Sequence, residues 1–148
     1  MVMIKTHITE PFALLIILSA FLAMIMTSTA HAGGEPDELS GTTWVAEDIE
    51  GLGVMDVLQS RLSFEPDGRI TGNGGCNGFF GSAEVQGDHI TFGALGSTRM
   101  ACPEAIMDQE QRFFDALSKV ASFEIKNGLL FLSDGSGSTI LRFWKLEP

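Results

Sequence analysis

Basic charge is scarce in this sequence: nine Lys and Arg stand against nineteen Asp and Glu, a formal net charge of −10. That balance argues against nucleic acid and against an anionic membrane surface as partners, since each requires a positive footprint. Histidine is scarcer still, and after residue 31 His89 stands alone. One histidine with two separated cysteines, Cys76 and Cys102, lacks the close ligand pairs that zinc sites use, so no metal is expected. No Gly-x-Ser-x-Gly elbow exposes a serine nucleophile, and His89 reads as a structural or surface residue. No Cys-x-x-Cys is present, which removes the usual mark of a thioredoxin-type enzyme. Gly72 and Gly74 begin a Gly-x-Gly-x-x-Gly pattern, but Asn77 stands where its last glycine belongs, and no Gly-Lys-Ser/Thr occurs. Asp134-Gly135-Ser136-Gly137-Ser138 carries one carboxylate where a calcium loop needs several, and reads as a turn. No cofactor is implied.

Long hydrophobic runs are also few. The one candidate, Phe12 to Met26, is shorter than the roughly 20 apolar residues of a membrane-spanning helix. Lys5 precedes it, and Thr27-Ser28-Thr29 and then Ala30-His31-Ala32 follow, the order of a secretory signal peptide with a small-x-small cleavage site. An uncleaved N-terminal anchor is the alternative. Taking 32 residues from 148 leaves 116, one domain's worth, which retains eight Lys and Arg and eighteen Asp and Glu. A domain of that size buries about 65% of its unfolded surface, enough for a core that needs no metal. Gly33 and Gly34 follow the cleavage site in place of a lipoprotein's cysteine. The expected product is periplasmic or secreted, monomeric, and not stably inserted in a membrane after cleavage.

Residues 33–38 (GGEPDE) have no apolar period and read as a flexible tail. Trp44–Ile49 reads as a first strand, and Ser60–Phe64 alternates as a half-buried strand should. Glu65-Pro66-Asp67-Gly68 has type I turn chemistry and leads back through Arg69–Thr71. Gly72 to Gly78 is too rich in glycine for a regular strand. Phe80–Val85 and His89–Phe92 form a hairpin around Gln86-Gly87-Asp88, and a loop runs from Gly93 to Cys102. The period then becomes helical from Pro103 to Ala121, with Ile106, Phe113, Phe114, Leu117, Val120 and Ala121 on one side. Asp108, Gln109, Gln111, Arg112, Asp115 and Lys119 are expected to face water. Ser122–Lys126 and Leu129–Leu132 flank Asn127-Gly128, a hairpin signal, and Thr139–Leu146 closes the chain. The expected fold is mainly β, with some α: about eight short antiparallel strands in a small barrel-like sheet, with one amphipathic helix packed against it, over residues 39–147.

Carboxylates are plentiful but unpaired by spacing. Glu47, Asp48, Glu65, Asp67, Glu104, Asp108 and Glu110 default to solvated surface. Two cysteines in an exported chain favour a disulfide, which across a 26-residue separation would contribute about 3.5 kcal/mol in the chain-entropy model. A redox role for the same pair is the alternative.

Leu39-Ser-Gly41-Thr-Thr-Trp44, Leu62-Ser-Phe64 with Asp67-Gly68, Gly74-Gly75-Cys76-Asn77-Gly78 with Gly81, Thr98-Arg99-Met100-Ala101-Cys102, and Glu110 with Phe113 together resemble the META domain family, which includes HslJ-like heat-inducible proteins. The most specific positions are Gly75, Cys76, Asn77 and Gly81, then Thr98, Arg99, Met100 and Cys102. The resemblance implies a β-barrel-like domain with a helix and no established catalysis. It also implies an association with heat or envelope stress, antibiotic tolerance and, in some lineages, secretion or virulence. The two motifs are expected to meet, with Cys76 bonded to Cys102 and Asn77 bonded to the intervening loop.

A non-enzymatic envelope protein is therefore expected, a stress-response or binding module whose partner is a protein or a small apolar ligand. Trp44, Phe79, Phe80 and Trp144 are candidates to line a ligand cavity, because an eight-stranded barrel can be filled or hold one small molecule. A thiol-dependent redox or chaperone-like protein acting through Cys76 and Cys102 is the alternative function.

Overall fold

The computed structural model describes residues 36–147. The expected leader, 1–32, and residues 33–35 of the expected tail lie outside the described residues. From Pro36 the tail reading gives way to one helical turn, α1 (Pro36–Leu39). The reason is Leu39, which is buried in the domain core and whose carbonyl accepts a hydrogen bond from Thr42 Oγ1 at 2.5 Å.

Nine strands follow, interrupted by a second helix: β1 (Thr42–Ile49), β2 (Arg61–Phe64), β3 (Arg69–Asn73), β4 (Gly78–Gln86), β5 (His89–Phe92), β6 (Gly96–Ser97), α2 (Glu104–Leu117), β7 (Val120–Lys126), β8 (Leu129–Asp134) and β9 (Thr139–Leu146). Turn chemistry places the hairpins where the sequence puts them. Gly68 at φ +80° closes the β2–β3 turn with its N–H on the Glu65 carbonyl, and Asn127 and Gly128, both with φ positive, make the β7–β8 turn. All pairings are antiparallel.

The strands run in the order β3-β2-β1-β9-β8-β7-β5-β4, and β3 pairs again with β4. That last pairing closes an eight-stranded barrel, and β6 continues the line of β5 along the same edge of β4, pairing with Phe79 and Phe80. Closure is uneven. β3 and β4 share five residue pairs, whereas β5 and β7 share the one pair His89↔Ser122.

The loop expected from Gly93 to Cys102 contains the two-residue strand β6, and two boundaries also differ from the sequence reading. The helix stops at Leu117, because the Ser118 and Lys119 amides bond back to Phe114 and Ala116 while Val120 enters the sheet opposite Asp134. Val120 and Ala121 fit both a helical and a strand period, and the ladder decides. The glycine-rich stretch is regular as far as Asn73. Gly72 sits within β3 because a Cβ there would lie 2.6 Å from the Phe79 ring and 2.1 Å from the Arg61 carbonyl oxygen.

Inward side chains fill the barrel. Trp44, Leu62, Ile70, Ile90, Leu130, Leu132, Leu141 and Phe143 are at most 1% exposed, and α2 adds Phe113, Ala116 and Leu117 from one end. Phe113 joins helix to barrel, its ring centroid 5.9 Å from Phe79 and 6.2 Å from Phe143.

Candidate functional site

The four aromatic residues expected to line one cavity do not do so. Trp44 and Phe79 are packed in the core, whereas Phe80 is 65% exposed and Trp144 37% exposed. Strand alternation explains the split, since Phe79 and Phe80 are neighbours on β4 and must point to opposite faces. Phe80 lies outside over Gly96, and Trp144 pairs with Val45 on the outer face.

The two sequence motifs do converge, at the end of the barrel that α2 covers. Cys76 and Cys102 form a disulfide, with Cα atoms 6.1 Å apart. Asn77, buried beside it, accepts hydrogen bonds at Oδ1 from Thr98 Oγ1 (2.8 Å) and from the Met100 N–H (2.7 Å), so it reaches the intervening loop as expected. Gly75 has φ +141°, a conformation that glycine alone adopts without strain. Gly81 leaves room for Leu95, whose Cδ2 would stand 2.7 Å from a Cβ there. Arg99 is exposed and takes no part in this network.

At the centre of the knot is Glu110, which the sequence reading left on the surface. It is 5% exposed. Its Oε2 accepts the N–H groups of Cys76 (2.8 Å) and Asn77 (2.5 Å), and its Oε1 accepts Asn77 Nδ2 (2.7 Å). A buried carboxylate costs free energy unless such donors replace water, and three do. Gly74 permits the approach, because a Cβ on it would lie 2.9 Å from Glu110 Cγ.

Gln109, expected to face water, is 1% exposed and works on the adjacent side. Its Oε1 accepts the Met55 N–H (2.8 Å), and its Nε2 donates to Ser60 Oγ (3.3 Å), which donates to the Gly74 carbonyl (2.8 Å). Arg112, also placed in water by the sequence, is half-buried, and its Nη1 is buried with no hydrogen-bond partner among the described residues. A signal for Gln109 and Glu110 was present: they occupy the stripe between Ile106 and Phe113, where helical spacing calls for apolar residues.

Chemically, this knot is a clasp. Its sulfurs are consumed by each other, and the side chains of Asn77, Gln109, Glu110 and Ser60 by mutual and backbone bonds. His89 is 77% exposed at its side chain, on the barrel wall, with Asp88 3.8 Å away. Beside the clasp a groove of about 500 Å³ opens between the end of β5 and the last turns of α2. Phe92, Ala94 and Leu95 form one wall, and Phe114, Leu117 and Ser118 the other.

Comparison with known proteins agrees with this architecture. A family model described as META domain matches residues 37–147. A solved structure of a protein from Burkholderia xenovorans is similar with a TM-score of 0.64 at 24% identity, covering 76% of this chain and 86% of that one. A DUF4847 family protein from Bacteroides vulgatus is similar with a TM-score of 0.55 at 14% identity, over 75% and 96% of the two chains. At these identities the likeness is one of fold. No curated protein matches the chain.

Proposed function

This chain belongs to the META domain family, and we propose that it is a non-enzymatic module exported to the cell envelope, periplasmic or secreted, which binds a partner through the groove between β5 and α2 in a stress response. The observation that carries this reading is the division of polar from apolar groups. Buried polar side chains at the helix end are engaged in holding the fold, while Phe92, Leu95 and Phe114 remain half-buried around an open, largely apolar groove. A volume of about 500 Å³ falls in the range of sites that take a small ligand or a few side chains of a partner. The filled barrel supports a surface groove over an internal cavity as the place where binding occurs.

The test is a titration of the purified protein with the neutral fluorophore N-phenyl-1-naphthylamine, alongside the variant Ala94→Asp. Ala94 is exposed on the groove wall, so its substitution leaves the core intact. Saturable binding that weakens about tenfold or more in the variant, a change of roughly 1.4 kcal/mol, is the expected result. Equal binding by both proteins refutes the groove as the site, and so does failure of both this probe and the peptide described below to bind. Export is checked separately by the N-terminal residue of protein recovered from the periplasm, expected to be Gly33.

A further inference from the structure

The groove runs along the least complete part of the barrel wall. β5 is paired with β4 from Ala83↔Phe92 to Gln86↔His89. Its other edge meets β7 at His89↔Ser122, with the Phe123 N–H donating to the Asp88 carbonyl at 2.9 Å. Past that point the two strands part. β5 continues to Phe92, while on the facing side the chain turns into α2 and the Ser118 and Lys119 amides bond to its carbonyls.

Backbone groups on an antiparallel strand alternate between its two edges. The Gly93 N–H donates to the Ser82 carbonyl, so residues 89, 91 and 93 address β4. The N–H and C=O of Phe92 therefore address the open edge, in line with the Asp88 carbonyl two steps of that alternation earlier. Among the described residues the register supplies no strand partner for Phe92 there. Leu95 and Phe114, both half-buried, line the same gap.

We propose that the groove's occupant is an extended peptide segment, uncharged or basic, which pairs as a short strand with the open edge of β5 at Phe92 and seats an apolar side chain between Leu95 and Phe114. The proposal rests on the reading of this groove as a binding site and names its ligand class. An exposed strand edge is a template for main-chain pairing, and an adjoining pocket selects the side chain. A small apolar molecule would fill the pocket and leave the edge unused. The net charge of −10 disfavours an acidic segment and favours a neutral or cationic one.

The test uses a capped peptide of alternating valine and threonine with a lysine at each end, and the same peptide with alternate backbone nitrogens methylated. The first is expected to shift the amide resonances of Phe92, Leu95 and Leu117 and to slow hydrogen exchange at the Phe92 N–H. The methylated peptide is expected to bind about tenfold more weakly or worse, the loss of at least one main-chain hydrogen bond. Equal binding by both peptides overturns strand pairing. If N-phenyl-1-naphthylamine saturates the groove and neither peptide binds, the peptide proposal fails while the groove stands. If neither probe binds, both readings fail.

Discussion

Removing the Glu110 carboxylate tests whether the clasp holds the helix in place. Glu110→Ala strands the buried N–H groups of Cys76 and Asn77, each of which has Glu110 Oε2 as its acceptor. An unsatisfied buried donor costs about 1–3 kcal/mol. The third donor, Asn77 Nδ2, keeps a long contact to the Met100 carbonyl at 3.5 Å, and deleting the charge recovers part of its desolvation cost. The sum is a loss of about 2–4 kcal/mol against a typical total of 5–15 kcal/mol. For a domain of this size that is a fall in Tm of roughly 8–16 °C. Glu110→Gln retains one oxygen for the two backbone donors but sets an amide against Asn77 Nδ2, and should cost about 1–2 kcal/mol. Urea titration followed by the fluorescence of buried Trp44 measures both variants. A loss under about 1 kcal/mol for Glu110→Ala, or equal losses for the two, would refute the assignment of Glu110 as the acceptor that holds this end of the barrel.

Replacing Cys76 and Cys102 together by serine should lower stability by about 3.5 kcal/mol, given their separation of 26 residues, while leaving a folded domain at low temperature. An unchanged urea midpoint would contradict this, and non-reducing mass measurement checks the bond itself. Gly72→Ala should cost about 3 kcal/mol or more, because its Cβ meets the Arg61 carbonyl oxygen at 2.1 Å. Near-normal stability by the same titration would show that β2 and β3 have slack. Hydrogen bonds from the Ser136 hydroxyl, then from the Ser138 and Ser136 N–H groups, hold the Asp134 carboxyl below its ordinary pKa of 3.8. A group depressed on folding stabilises above its unfolded pKa and loses that contribution as pH falls through the folded value. The stability difference between wild type and Asp134→Asn should therefore be present at neutral pH and shrink in acid, and a difference independent of pH would argue against it.

Much of the succession of strands and hairpins along the chain was readable because the signals are local. Gly68, Gly87 and Asn127-Gly128 force turns through their own backbone preferences, and alternation in Arg61–Phe64 needs no distant partner. The helix end was not readable in the same way. Leu117, Val120 and Ala121 satisfy either period, and the pairing of Val120 with Asp134 resolves the choice. Helical spacing puts Glu110, unlike the exposed Glu104 and Asp108, on the stripe between Ile106 and Phe113, but the donors that let a carboxylate be buried there come from distant parts of the chain.

By itself the sequence determined a fold class and a pair of motifs: antiparallel strands with one helix, and a Gly-Cys-Asn stretch that belongs with Thr-Arg-Met-Ala-Cys. The fold class follows from periodicity and turn chemistry, which act over a few residues, and the link between the two motifs follows from the resemblance to the META domain family. Tertiary structure alone decided that the barrel is filled, which groups satisfy the inward-facing Glu110 and Gln109, and that β5 and β7 part to leave a groove. Those outcomes depend on groups that meet across 34 residues for Glu110 and Cys76, and across 54 for Gln109 and Met55. Such meetings are set by how the whole barrel closes, and no local preference encodes them.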